Sequence, residues 1–446
     1  MNLKEEASGR RWGLRQRLLA ATLAFMFLAL VARGDDLPRG DAKAQSFSPE
    51  KLERIPALLK EAVEKKQIAG GVALVARRGK VIHVSTAGMQ DIGNKVPMGE
   101  GAIFRIASMS KPITSVAVMQ LVEDGKLRLT DTLSTYVPEF KDMKVAVPAP
   151  DGQSFVTVKA EREITIHDLL THTSGITYRI MSKPHVGKLY EEAGVCDGLV
   201  ESRESLADNV RKIARLPLVC QPGSAWEYGL NTDVLGQVVE VVSGKSLEEF
   251  MRQRIFNPLG MNDTCFNLPK DKHARLASLY TILPDKSLSK VGETVVTTGP
   301  FVYSGTVPTR VDNQYFSGGA GLVSTAGDYF RFGQMMLNGG ELNGMRVLKA
   351  ETVAAMTRNQ LGSLRIMPGA SQMGYGFGVL SAEGKQSQSD PSGVGTFGWG
   401  GAYGTIFWVD PENEVVAVLM AQVFPQDFTL SVEFKKAVYA ALTAAK

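Results

Sequence analysis

Phe104-Arg105-Ile106-Ala107-Ser108-Met109-Ser110-Lys111 opens an amphipathic helical stretch and sets a serine and a lysine three residues apart. One helical turn returns position i+3 to the face of position i, so the Lys111 amine can lie against the Ser108 hydroxyl. Such a pair can serve as a hydrolase nucleophile and its proton acceptor. Free backbone N–H groups and the positive dipole end at a helix N-terminus also favour developing negative charge. The tetrapeptide alone is a weak signal. Ser48-Pro49-Glu50-Lys51 and Ser287-Leu288-Ser289-Lys290 match it equally, so the surrounding sequence has to decide.

Upstream, Ile55, Leu58, Leu59, Ala62 and Val63 recur at helical spacing, and residues 71–87 read as two strands joined at Arg78-Gly79. After Ser108, Pro112 is tolerated in the first helical turn, and Ile113, Val116, Ala117 and Leu121 form an apolar stripe. Helices are expected over residues 166–173, stopped by Ser174-Gly175, over 233–243, closed by Gly244, and over 330–337. Residues 268–315 read as long loops. Short strands follow at 374–380, 396–399, 405–409 and 415–422, and a last helix at 430–444. Strands at both chain ends with helices between them imply one α/β (α+β) sheet assembled from both ends.

The chain has 446 residues, 44% hydrophobic and 22% charged, an ordinary globular composition. Its net charge of +4 owes much to Lys4, Arg10, Arg11, Arg15 and Arg17, leaving a near-neutral body with no call for nucleic acid. A basic stretch, the apolar run Leu18–Ala32 and the small residues of Ala32-Arg33-Gly34 read as a signal peptide over 1–34. The run is short of the ~20 residues that span a bilayer, so no stable membrane insertion is expected after cleavage. An uncleaved anchor is the alternative. Arg10-Arg11 fits a twin-arginine signal poorly, and no cysteine follows the run to carry a lipid. The expected address is periplasmic or secreted, in a bacterium. Residues 35–48 read as a linker and 49–446 as one domain. Whether Cys196 and Cys220 pair is left open by the sequence, and the five histidines show no metal-ligand spacing, so neither metal nor cofactor is expected.

No Gly-x-Ser-x-Gly elbow exists, which leaves a Ser-Lys site as the economical route to an activated serine. A further proton carrier is offered by Tyr228, in Trp226-Glu227-Tyr228-Gly229-Leu230-Asn231. Tyrosine ordinarily holds its proton to about pH 10, and a nearby Lys⁺ favours the phenolate. Gly398-Trp399-Gly400-Gly401-Ala402 offers a backbone that a substrate can approach closely. A strand-edge N–H beside the N–H of Ser108 would make a two-donor oxyanion hole.

These segments, in this order, resemble the serine β-lactamase-related hydrolases: class C β-lactamases, penicillin-binding proteins and family VIII carboxylesterases. Leu169-Leu170-Thr171-His172-Thr173-Ser174-Gly175 and Ser317-Gly318-Gly319-Ala320-Gly321-Leu322-Val323-Ser324-Thr325-Ala326 resemble two further family signatures, and the likeness runs from about residue 50 to the C-terminus. The resemblance implies a β-lactamase/transpeptidase-like fold: a mainly antiparallel sheet flanked by helices, with an inserted helical region carrying Tyr228. It implies Ser108 as acylated nucleophile, Lys111 as its activator, Tyr228 as acid and base, and the N–H groups of Ser108 and Ala402 as oxyanion hole.

Two departures carry the functional expectation. Leu230 stands at the third position of the family's Tyr-x-Asn, with Asn231 one place late. Trp399-Gly400-Gly401 stands where β-lactam-processing relatives carry Lys-Thr-Gly or His-x-Gly. An indole cannot pair with a substrate carboxylate, and a lost charge-assisted hydrogen bond costs roughly 1.5–3 kcal/mol. It does offer apolar surface to an ester. Thr297-Thr298-Gly299 and Gly244-Lys245-Ser246 lie too early to be the missing motif. His172 reads as structural, bonding the helix end, and Asp233 and Glu240 as cap and solvated face. No Glu-x-x-Leu-Asn segment supplies a carboxylate base. The expected activity is cleavage of carboxylic esters through a Ser108 acyl-enzyme by an exported serine hydrolase, with a small-molecule ester or amide as the partner. The alternatives are a β-lactamase or D-alanyl-D-alanine carboxypeptidase, or a non-catalytic peptidoglycan-binding relative.

Overall fold

The fold is described from a computed structural model covering residues 37–150, 154–181, 184–299, 301–310, 312–366, 372–380 and 382–443. The expected signal peptide lies outside the described residues. Eight strands build the main sheet: β1 (Gly70–Arg77), β2 (Lys80–Asp91), β3 (Val96–Pro97), β4 (Gln372–Met373), β5 (Gly378–Val379), β6 (Phe397–Gly401), β7 (Thr405–Asp410) and β8 (Val415–Ala421). Their spatial order is β4-β5-β6-β7-β8-β1-β2-β3, every neighbouring pair antiparallel. The two chain ends meet where β1 pairs with β8, Leu74 opposite Val418. Both strands are buried along their whole length, which is why they read as continuous apolar runs rather than as alternation.

Six helices matter for the site: α1 (Arg54–Glu64), α2 (Ser110–Glu123), α3 (Ile166–Leu170), α4 (Asn231–Ser243), α5 (Ala326–Leu337) and α6 (Thr429–Ala441). The terminal helices α1 and α6 cover one sheet face, where Leu59, Phe434 and Val438 share a core with Ala73, Val75, Ala417 and Leu419. On the other face Tyr329 of α5 meets Phe407 of β7, ring centroids 4.6 Å apart. Helices α2, α3 and α4 lie in the long insertion between β3 and β4, and α4 packs against both α2 and α3. The expected sheet, its flanking helices and the inserted helical region are all present.

Three expectations need correction. Part of the expected linker is tied to the body: Gly40 N donates to Val81 O at 3.0 Å, and Phe47 is 1% exposed among the core side chains of α1 and α6. One aromatic anchor in a polar stretch leaves no periodic signal. Residues 268–315 hold short strands rather than loops alone, among them Tyr280–Ile282 and the hairpin Val296–Thr298 with Phe301–Tyr303. Strands of three residues are too short for alternation to show. Lastly, α2 is buried nearly all round, not along a stripe: Ser110, Lys111, Thr114, Ser115 and Gln120 are all inside. Several of their polar atoms find partners, as where Ser110 Oγ accepts from Leu322 N at 3.1 Å and Gln120 Nε2 donates to Val347 O at 3.1 Å, while Gln120 Oε1 is buried without one.

Candidate active site

The short strand Phe104–Arg105 pairs with Val323–Ser324 and delivers the chain to a tight turn, Ala107–Met109, ahead of α2. Ala107 has φ +42°, left-handed for a residue with a Cβ, at a cost of roughly 1–2 kcal/mol. That turn places Ser108 on the lining of a cavity. The two other Ser-x-x-Lys matches do something else. Ser48 caps a short helix by accepting from Lys51 N at 3.2 Å. Ser287 Oγ donates to Asp285, while Lys290 pairs with Asp91 at 2.6 Å.

Lys111 is 1% exposed, and its Nζ donates to Ser108 Oγ at 3.1 Å, Tyr178 OH at 3.0 Å and Gly319 O at 2.8 Å. These three acceptors use every proton of an ammonium. A neutral amine keeps two protons. One must go to Gly319 O, which can only accept, so the lone pair can turn to a hydroxyl. Tyr228 stands on the segment leading into α4 and its OH donates to Ser108 Oγ at 2.9 Å. Its ring stacks on Trp226 at 5.8 Å, and Lys111 Nζ lies 4.8 Å from its centroid. Trp399 Nε1 donates to the same phenol oxygen at 3.4 Å. Ser108, Lys111, Tyr228 and Trp399 are thus one hydrogen-bonded cluster.

Tyr178, which sequence reasoning missed, belongs to this cluster. Burial pushes its phenol well above the ordinary range, so it stays protonated beside Lys111. Its only sequence signal is its place three residues after the Leu169–Gly175 segment.

His172 is structural, but its partner is a side chain rather than a helix end. Burial first, then Lys111, pushes its imidazole down to about 3, so it is neutral. Asn231 Nδ2 can only donate, so His172 Nδ1, 3.0 Å away, accepts and Nε2 carries the proton. Asn231 Oδ1 accepts from Ser174 Oγ, so both ends of that amide are occupied, and neither Asn231 nor Leu230 lines the cavity. Asp233 is not a helix cap. It is fully buried, and Oδ1 accepts from Tyr315 OH at 2.8 Å and Ser317 Oγ at 2.6 Å. Glu240 is half-buried rather than solvated, and accepts from Leu247 N at 2.9 Å.

The backbone of β6 runs against the Ser108 turn. A Cβ on Gly401 would lie 3.1 Å from the Ile106 carbonyl carbon and closer still to its oxygen. Ala402, Gly401, Gly400 and Trp399 line the same cavity as Ser108. That cavity is about 450 Å³, walled by Leu199, Trp226, Phe301, Trp399, Met181 and Phe428 among others. Among the described residues no lysine or arginine lines it, and Asp197 is its one carboxyl group. Burial pushes Asp197 up to about 6, against the pull of Arg179, whose Nε is 3.6 Å away. Cys196, Cys220 and Cys265 are free thiols, and no group of His, Cys, Asp and Glu among the described residues could hold a metal.

A serine at the entrance of a buried helix, a lysine one turn on and a tyrosine from a second helical element, beside a strand of the antiparallel sheet, define a serine hydrolase. The chain belongs to the Beta-lactamase family, whose profile matches residues 55–440. The esterase EstB of Burkholderia gladioli is 32% identical over 396 residues, covering 87% of this chain and 95% of EstB. Lovastatin esterase of Penicillium rubens is 29% identical over 399 residues, covering 84% and 94%. The solved structure of EstCE1, a hydrolase with promiscuous acyltransferase activity, superposes with a TM-score of 0.75 at 29% identity. It covers 87% of this chain and 99% of that one.

Proposed function

We propose that this chain is an exported esterase that cleaves carboxylic esters through an acyl-enzyme on Ser108. Tyr228 and Lys111, 2.9 and 3.1 Å from Ser108 Oγ, take its proton as Oγ attacks the ester carbonyl. The backbone N–H groups of Ser108 and Ala402 receive the oxyanion. As the tetrahedral intermediate collapses, the C–O bond to the alcohol breaks and the same groups return the proton to the leaving oxygen. Water then attacks the acyl-enzyme with the roles reversed. Tyr178 remains a phenol and orients the lysine. The basic stretch and apolar run within residues 1–34 of the sequence support the export part of the reading.

One observation favours an ester over a β-lactam or a D-alanyl peptide. The carboxylate of either alternative would enter a cavity with an indole at Trp399, the Asp197 carboxyl group, and no lining cation among the described residues. A charge-assisted hydrogen bond of roughly 1.5–3 kcal/mol is then lost, and Asp197 adds repulsion once ionised. The esterases among the relatives point the same way. The test is a rate panel of p-nitrophenyl esters, nitrocefin and D-Ala-D-Ala peptides. Ester kcat/KM should exceed the others by at least about tenfold, whereas equal nitrocefin turnover would replace this reading with a β-lactamase.

A further inference from the structure

Next to Lys111 sits the tight turn Ser317–Gly321, held between α2 and α4. Its Gly319 carbonyl is the one partner of the Lys111 amine that cannot change role. Its Gly318 carbonyl accepts from Thr114 Oγ1 of α2 at 2.7 Å. The turn is itself anchored from the α4 side. Ser317 Oγ donates to Asp233 Oδ1 at 2.6 Å and accepts from Ala320 N at 3.0 Å, while Tyr315 OH donates to the same carboxylate oxygen at 2.8 Å. Gly319 abuts this carboxylate so closely that a Cβ there would lie 3.4 Å from Asp233 Cγ and nearer to one oxygen. A fully buried carboxylate on α4 thus reaches the lysine through one side chain and one turn of backbone.

The geometry points to Asp233 as the positioning residue of this site: through Ser317 it fixes the Gly319 carbonyl that aims the Lys111 amine, and it supplies the buried counter-charge of that amine. The inference rests on the proposed role of Lys111 in activating Ser108. Burial raises the Asp233 carboxyl group, and the hydrogen bonds from Ser317 and Tyr315, followed by the charge of Lys111, work against that rise. The other ionisable groups around the pair are Tyr178, Tyr228 and neutral His172 beside Lys111, and Tyr315, Tyr178, Asp197 and Cys196 around Asp233. Neither Asp197 nor Cys196 is hydrogen-bonded to Lys111.

The experiment compares Asp233→Asn, Asp233→Ala and Ser317→Ala with the full-length enzyme, using p-nitrophenyl butanoate from pH 5 to 9. In Asp233→Asn the amide oxygen still accepts from Ser317 and Tyr315, but the charge is gone. Removing that buried negative charge disfavours the cationic form of the site, so the acid limb of kcat/KM should move down by about half a pH unit or more. In Ser317→Ala the charge stays but the turn loses its tether. Its kcat should fall about tenfold or more with KM within threefold and the limb in place. Asp233→Ala should combine both effects. An unmoved acid limb in Asp233→Asn, or changes confined to KM, would overturn the inference. So would wild-type kinetics in Ser317→Ala. If wild type and Ser108→Ala hydrolyse the ester equally, the reading of Ser108 fails first, and that result is separate from any Asp233 outcome.

Discussion

Gly400 and Gly401 are adjacent on β6, yet adding one methyl group should have opposite consequences at the two positions. At Gly400 the nearest atom to a new Cβ is Thr405 O at 3.5 Å, an ordinary contact. At Gly401 the new Cβ would stand 3.1 Å from the Ile106 carbonyl carbon and closer to its oxygen, both backbone atoms that cannot rotate away. Carbon–carbon contacts relax at about 3.5–4.0 Å, so β6 must retreat from the Ser108 turn by roughly 0.5–1 Å. Ala402 is the next residue, and its N–H is the proposed second oxyanion donor. A misplacement of about 1 Å in a catalytic constellation costs on the order of 100-fold, about 2.7 kcal/mol of barrier. Loss of one oxyanion donor costs a similar 100- to 1,000-fold, by order of magnitude. Gly401→Ala should therefore lose about 100-fold in kcat on p-nitrophenyl butanoate, and Gly400→Ala less than about fivefold. Thermal denaturation of each variant separates a displaced strand from a misfolded protein. A folded Gly401→Ala enzyme with wild-type kcat would refute the assignment of the oxyanion site to this strand edge.

Three other perturbations read out separate parts of the account. Tyr228→Phe keeps the stack on Trp226 and the ring beside Lys111 but removes the hydroxyl 2.9 Å from Ser108 Oγ. Its kcat should fall roughly 100- to 10,000-fold with stability nearly unchanged, and activity within fivefold of wild type would leave Lys111 as the sole base. Phe47→Ala should cost about 3–5 kcal/mol in denaturant unfolding, since Phe47 is 1% exposed within the core. A loss below about 1 kcal/mol would restore the linker reading. Asp328, whose Oδ2 accepts from Asp263 N and Thr264 Oγ1, is pushed by burial up to about 7. Its folded value lies above the unfolded one, so its contribution is fully present below about pH 4 and is lost as pH rises through 7. Unfolding free energies from pH 4 to 8 should show wild type falling relative to Asp328→Asn across that window; a constant difference would contradict it.

The parts of this molecule legible in its sequence are those with local rules. The Arg78-Gly79 hairpin and the apolar runs of β1 and β8 are set by turn chemistry and two-sided burial. Gly244 ends α4 at φ +68°, as a left-handed cap requires. Ser108 and Lys111 share a turn of helix and could be paired on paper, and Tyr228 and the Gly400-Gly401 edge could be singled out only beside them. Tyr178 and Asp233 could not. Each acquires its place through contacts across long stretches of chain, Tyr178 to Lys111 and Asp233 to Ser317. Asp233 in particular follows Asn231-Thr232 at a helix start, where a cap is the natural local reading. Only the packing of the 317–321 turn against α4 reveals a buried carboxylate instead.

The central claim is that Ser108, and not another serine, becomes acylated. The direct measurement is intact-mass and peptide-mapping analysis after reaction with a fluorophosphonate. One adduct per chain should map to Ser108, with no adduct and no ester hydrolysis in Ser108→Ala. An adduct on any other serine, or a Ser108→Ala protein that still turns over esters at the wild-type rate, would contradict the account.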